Sequence, residues 1–290
     1  MKPLKVALVV KVSASTQERE CRNMGYWSYP VPEFHWQHFV FGGKRAYANG
    51  MNDFDVVIQE DAGPWHYRHL KRPHIFIAID STLSQAHLDT RLGRGKHTDL
   101  ILVDHDRLKN FEPLGVPIRR LNYCVNDRLM RDYGEGRDID VSFHCAGNGQ
   151  PERREVRHLL SEYCQVHDLT FGSGILPLPE YARAMARSKI IVNWPRTPAN
   201  RPHRVFDAMA CGACLVTGSL PDVPGDERVP DRDYIQVERM QDIPQTIDWL
   251  LESGKWQEVG QAGKRIVAKY HTWAIRAKQL RAILQEELGL

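Results

Sequence analysis

Apolar positions in the first half of the chain are gathered into short runs: Lys5 to Val10, Asp55 to Gln59, His74 to Ile79, Leu100 to Val103 and Ile118 to Asn122. Each is strand-length, rich in Val, Ile and Leu, and apolar nearly throughout rather than alternating. That is the pattern of strands in a parallel sheet covered on both faces. The polar, glycine-bearing stretch Asp132 to Asp138 reads as a hinge. A second alternation follows it. Ile139 to Cys145 is a strand, and Pro151 to Val166 places Val156, Leu159, Leu160 and Tyr163 on one helical face. Pro179 to Arg187 is a helix and Lys189 to Asn193 a strand; Pro202 opens a further helix that Gly212 ends, before the strand Cys214 to Thr217. Tyr234 to Val237 is a last short strand. Ile243, Ile247, Leu250 and Leu251 mark a helix closed by Gly254, and Trp273, Ala277, Leu280 and Leu284 share a face of a final one, about 272–288. Two consecutive alternations predict an α/β protein of two doubly wound, Rossmann-like domains, 1–136 and 137–290, facing a central cleft. Ligands in such folds lie beyond the carboxyl ends of strands, so the residues just after strands carry the interest.

Composition adds exclusions. The longest apolar runs fall far short of the ~20 residues of a membrane span. Lys2 and Lys5 precede an apolar run with no small-residue cleavage site after it, so no secretory signal is expected. Of 290 residues, 39 are Lys or Arg and 36 Asp or Glu, a net +3 that is too small for bulk electrostatic binding of nucleic acid. Residues 1–136 hold 19 basic and 16 acidic residues and 8 of the 13 histidines; residues 137–290 hold 20 of each sign. The excess positive charge therefore lies in the first half, where a polyanion could dock. The pair Cys211 and Cys214 has no second Cys pair or nearby His at zinc spacing, and reads as buried small residues in a reducing, cytoplasmic setting.

Lys11-Val12-Ser13-Ala14-Ser15-Thr16 follows the first strand in place of a GxGxxG, and no P-loop or Gly-x-Ser-x-Gly occurs. The informative stretch is Ser188 to Thr217. A strand delivers Asn193, a proline-rich loop follows, and a helix begins near His203 with Arg204 and Asp207 three apart. Helix N–H groups and a guanidinium suit phosphate oxygens, and a carboxylate suits a ribose diol. The plainer reading is an ordinary i, i+3 salt bridge in the first turn.

This stretch resembles the nucleotide-sugar-binding segment of group 1 glycosyltransferases of the GT-B fold, in particular a short, spore-maturation-type subset. Lys189, Ile190, Asn193, Arg204, Phe206, Ala208, Ala210, Cys211, Gly212, Ala213 and Thr217 match its pattern. Asp207 stands where the family usually has Glu, and Ala199 where it has an upstream acid. The resemblance spans about residues 138–284. It implies that Asp140 to Phe143, Gly147, Asn148 and Arg153 or Arg154 form the element gripping a diphosphate. His271-Thr272-Trp273 and Arg276 resemble the last-helix signature, which implies a final helix that crosses back onto the first domain.

The function so implied is transfer of a sugar from a nucleotide diphosphate sugar, most simply UDP-linked, to an acceptor hydroxyl. Candidate donor contacts are Gly147, Asn148, Arg153, Arg154, Asn193, Arg204 and Asp207. Asp61, Asp80 and His87, after strands of the first half, are candidates for the base that activates the acceptor. Each has an alternative role as a helix cap or solvated loop group. His35, Trp36 and His38 read either as an acceptor-contact loop or as packing. With no Asp-x-Asp motif near the site, no metal and no resident cofactor are expected, and arginine and helix dipole would meet the diphosphate charge. A hydroxylated nucleic-acid base, a glycan and a small metabolite are all acceptors open to a compact, slightly basic first domain. Two rivals remain at this level: a nucleotide-sugar epimerase on the same fold, and a non-catalytic nucleotide- or nucleic-acid-binding module.

Overall fold

The Val- and Ile-rich runs are parallel strands in the computed structural model. Residues 2–11, 27–41, 53–60, 73–78, 84–104, 107–145, 150–197 and 202–290 are described. They divide into two compact units, Met1–Tyr123 with Trp273–Leu290, and Cys124–Thr272. No helix among the described residues is long and apolar enough to cross a membrane.

The first unit is built on a six-stranded sheet of β1 (Leu4–Lys11), β2 (Phe34–Phe41), β3 (Val56–Glu60), β4 (His74–Ala78), β5 (Leu100–Val103) and β6 (Ile118–Arg120), in the order β2-β1-β3-β4-β5-β6. Every pairing is parallel, with Val6 beside Val56, Ile58 beside Ile75 and Ile75 beside Leu100. All these side chains are buried, as near-continuous apolar strands require. Helix α1 (Gln85–Gly95) follows β4 and packs closely: a Cβ on Gly95 would stand 2.8 Å from Leu114 and 2.9 Å from Ile101.

His35, Trp36 and His38 lie on strand β2, not in a loop. The strand is an edge of the sheet, and its mix of aromatics and histidine hides its period. Trp36 packs edge-on to Trp273 with ring centroids 6.0 Å apart, and Trp27 and Phe34 complete the cluster at 5.0 and 6.4 Å from Trp273. The indole N–H of Trp273 donates to the Tyr29 carbonyl at 2.9 Å, so the buried polar atom is satisfied.

The second unit repeats the plan with β7 (Ile139–Phe143), β8 (Phe171–Ser173), β9 (Ser188–Asn193), β10 (Cys214–Thr217) and β11 (Ile235–Gln236), ordered β11-β10-β9-β7-β8 and all parallel. Both sheets thus share the doubly wound 2-1-3-4-5 order, the first with one strand more. Around the second sheet stand α2 (Pro151–Val166), α3 (Leu178–Arg187), α4 (His203–Ala210), α5 (Ile243–Ser253) and α6 (Lys255–Tyr270). Val156 and Leu160 of α2 and Ile247 and Leu250 of α5 join Val141, Phe143, Val192 and Val216 of the sheet in one core. The last helix, α7 (Trp273–Leu288), belongs to the first unit and buries Trp273, Ala277, Leu280 and Leu284.

Asp132 to Asp138 lies inside the second unit. Arg137 donates to the carbonyls of Ser188 and Cys211, and Asp132 pairs with Lys264, so charged side chains fasten a stretch that composition marks as a hinge. Cys211 and Cys214 are buried free thiols whose pKa values burial pushes up, Cys214 to about 12.

Candidate active site

The second sheet reverses its order between β7 and β9: the chain goes first to β8 on one side, then to β9, β10 and β11 on the other. Connections leaving such a switch point diverge and open a crevice at the carboxyl ends of the strands. Polar residues collect there. His144 directly follows β7, Asn193 ends β9 and Thr217 ends β10; Arg204 and Asp207 come from α4 and Tyr181 from α3.

Asn193 is fully buried and both ends of its amide are used. Its Nδ2 donates to Thr217 Oγ1 at 2.9 Å and its Oδ1 accepts from Arg204 Nη1 at 3.0 Å. The Thr217 hydroxyl in turn donates to the Gly218 carbonyl at 3.0 Å. Asn193 therefore fixes the guanidinium rather than offering a free amide. Arg204 Nε is buried and has no partner among the described residues, so donor capacity is held ready in a set orientation.

Arg204 and Asp207 do not form the i, i+3 ion pair that their spacing allows. Asp207 is only 1% exposed, and its Oδ2 accepts from the Tyr181 hydroxyl at 3.3 Å. Burial pushes its carboxyl up to about 7, against the opposing pull of Arg204 and the Tyr181 bond. Burial likewise raises the Tyr181 phenol well above its usual range. His144 is 4% exposed, edge-on to Tyr181, with Nδ1 donating to the Gly174 carbonyl at 3.3 Å. Burial, with Arg204 adding to it, holds this imidazole below the ordinary histidine range. A neutral ring that donates through Nδ1 leaves Nε2 as an acceptor, and that atom is buried without a partner among the described residues.

Arg153 and Arg154 occupy the first turn of α2 with different roles. Arg153 is buried and its Nε donates to the Trp194 carbonyl at 2.9 Å, tying the helix start to the exit of β9. Arg154 is exposed. Arg157, one turn on, holds the exit of β7 by donating to the Cys145 carbonyl at 2.6 Å. Gly147 and Asn148 lie outside the described residues, as do Asp61 and Asp80. His87 is described, in the first turn of α1. Its backbone N–H donates to Ser84 Oγ, whose hydroxyl is 2.7 Å from His87 Nδ1, so residue and cap are bonded to each other.

His144 and Tyr181 escaped the sequence reading. His144 was accessible to it, as the first residue beyond a strand; Tyr181 sits on a helix, where no spacing signals its approach to Asp207. Asp104, directly after β5 and buried, is a further strand-end polar residue of the first unit. The cluster in the second unit can hold an anion against Arg204 and helix N–H groups, and can accept a proton-bearing ligand atom at His144.

Residues 126–282 match the model of the glycosyl transferase-like family, and the chain belongs to that family. No curated protein matches the sequence significantly. Among solved structures, Anabaena HepE in complex with UDP-glucose superimposes with a TM-score of 0.65 at 12% identity, covering 98% of this chain and 100% of that one. Sucrose-phosphate synthase from Thermosynechococcus elongatus gives 0.63 at 12% identity over 99% of both chains. The pneumococcal O-GlcNAc transferase GtfA, in complex with UDP and GlcNAc, gives 0.56 at 11% identity over 80% of this chain and 57% of its own. These likenesses define the fold, two parallel-sheet Rossmann-like domains of the GT-B type.

Proposed function

We infer that this chain is a glycosyltransferase that moves a sugar from a nucleotide diphosphate sugar to an acceptor hydroxyl, with the nucleotide held by the second unit. One observation carries the reading: at the switch point of a glycosyl transferase-like chain, Arg204 is locked by Asn193 while its Nε stays buried without a partner among the described residues. A group oriented and left unsatisfied in this way is suited to an anionic oxygen. Arg154, Gly147, Asn148 and the N–H groups opening α2 are the proposed diphosphate contacts, and Arg153 positions that helix. Asp207 is the carboxylate we assign to the ribose diol, reached by exchange for its long Tyr181 bond.

UDP is the nucleotide chosen, since HepE and GtfA are both described in complex with UDP or a UDP-sugar. Guanidinium and helix dipole then stabilise the leaving diphosphate, so the site works without a metal ion or resident cofactor. Asp80, Asp61 and His87 remain the proposed bases for the acceptor proton, with Asp80 first because the His87 ring is engaged by Ser84. The spore-maturation-type subset is our placement within the family, and the five described cysteines, all free, suit a reducing cytoplasm.

The test is thermal unfolding with UDP, GDP and TDP, each with and without chelator. UDP at 100 times its dissociation constant should stabilise by about 2.7 kcal/mol, in chelator as well as without it. A shift that appears only with Mg²⁺ or Mn²⁺ defeats the metal-free site, and no shift with any nucleotide defeats the donor assignment.

A further inference from the structure

A groove of about 470 Å³ lies in the second unit between the turn Asp231–Asp233, α5 and α6. The turn leads into the amino end of β11, whereas the Arg204 cluster sits at the carboxyl ends of β7, β9 and β10, which run parallel to β11. The groove is therefore at the opposite end of the same sheet. Its size is that of a ligand pocket.

Its lining is selective. Trp249 is 47% exposed on a helix that buries Ile243, Ile247 and Leu250, and its indole lines the groove. Buried Val259 and Ala262 add apolar floor. The charges balance: Arg232, Lys255 and Arg265 face Asp231, Asp233 and Glu258. Two pairs are closed among themselves, Arg232 with Asp233 at 2.7 Å and Lys255 with Glu258 at 2.8 Å. Asp231 and Arg265 are exposed and outside these pairs. Asp231 is held at φ 60, in the left-handed region, by its N–H on the Tyr234 carbonyl at 2.7 Å, while Asp233 Oδ2 accepts from the Val229 N–H.

A ligand for this surface has to offer an apolar face to an indole and neutral hydrogen-bonding groups to one carboxylate and one guanidinium. A phosphate or polyanion needs excess positive charge, and a basic peptide excess negative; the balanced lining serves neither. A pyranose ring fits, with a face of C–H groups and a rim of hydroxyls that both donate and accept. We propose that this groove binds neutral oligosaccharide, at a site separate from the nucleotide site.

Saturation-transfer NMR and calorimetry on the full chain with maltotetraose, cellotetraose, mannotetraose and chitotetraose test this, each with and without saturating UDP. At least one probe binds, UDP does not displace it, and Arg204→Ala leaves it unchanged. Trp249→Ala, at an exposed position that keeps the fold, weakens it about tenfold or more, and Trp249→Phe restores part of the loss. Arg265→Gln also weakens it. The proposal is overturned if none of the four binds, if binding survives Trp249→Ala, if UDP displaces the sugar, or if a sulfated tetrasaccharide binds in preference to every neutral one.

Discussion

At the amino ends of the sheets, an aspartate beside one strand accepts from the backbone N–H of a neighbour and returns its own N–H to the same residue. Asp55 does this with Lys5, Asp99 with His74 and Asp140 with Thr170. Each of these three aspartates is spent on the chain. At the carboxyl ends of the second sheet the same kinds of residue are also bonded, yet capacity is left over: Arg204 Nε and His144 Nε2 are buried with no partner among the described residues. Burying an unsatisfied polar atom costs about 1–3 kcal/mol. Donor and acceptor capacity left over at the carboxyl end of the second sheet is organised for a ligand there. The amino ends hold the fold, and the carboxyl ends are where chemistry is expected.

Strand β4 tests this division on its own, since His74 and Asp99 sit at its amino end and Asp80 follows its carboxyl end in the sequence. Asp80→Asn should lower turnover about 10²- to 10⁴-fold, the range for a lost general base, with UDP affinity and unfolding temperature unchanged. Asp99→Asn should do the reverse, lowering the unfolding temperature with turnover per folded molecule intact. Steady-state kinetics and thermal unfolding on the same preparations decide it. If Asp80→Asn keeps near-native turnover, the base is elsewhere, with Asp61 next.

The next effect is in binding. Arg204→Ala removes a charge-assisted contact of about 1.5–3 kcal/mol, so UDP affinity should fall by about 10- to 100-fold. Asn193→Ala should weaken UDP as well, and each variant strands a buried acceptor, Thr217 Oγ1 or Asn193 Oδ1, so both cost some stability. Calorimetric titration with UDP beside thermal unfolding separates the two. UDP affinity left unchanged by Arg204→Ala, with stability lost, would make Arg204 a structural residue like those at the amino ends.

The sheets were legible because their strands are continuous apolar runs, and the positions of β1, β3, β4, β5, β7, β9 and β10 follow from that pattern alone. Elements that break it were not. β8 is Phe171-Gly172-Ser173, too short and too glycine-bearing to register. Helix α6 carries Gly260 and Gly263, which read as breakers in a sequence. In the fold they are what lets it pack: a Cβ on Gly260 would stand 2.4 Å from the Gly212 carbonyl oxygen, and one on Gly263 2.7 Å from that of Asp233. At the site, Arg204 and Asp207 stood out through a motif. Their true partners, Asn193 and Tyr181, are fixed by tertiary packing, and helix spacing pointed instead to an ion pair between the two.

The buried carboxyl of Asp207 gives the carboxyl-end cluster a pH signature. Its pKa is raised from 3.8 to about 7 by burial, so between these values the folded chain holds a proton that the unfolded chain has lost. Stability from this group is therefore present at low pH and declines as pH rises towards 7. Asp207→Asn, which keeps the shape without the charge, should raise the unfolding temperature at pH 8 by a few degrees and change little at pH 4. Thermal unfolding across that range checks it. A variant less stable than the parent at pH 8 would mean that the ionised carboxylate is well compensated where it stands.

The smallest effect comes from the amino end of β4 and has the opposite sign. His74 is buried, and desolvation lowers its pKa from 6.5 to about 4, with the nearby Asp99 charge opposing. Between those values the unfolded chain takes up a proton that the folded chain refuses, so stability rises with pH through this window and is lost as pH falls from 6.5 towards 4. His74→Gln should flatten that part of the profile while leaving the slope from Asp207 in place. Hydrogen exchange resolved by peptide assigns each slope to its place: protection of β4 should fall with acid in the parent and not in His74→Gln, and protection of α4 should fall with base unless Asp207 is replaced. If acid loosens α4 and β4 together, and His74→Gln protects neither, the two ends of the sheets do not titrate separately and the division between them fails.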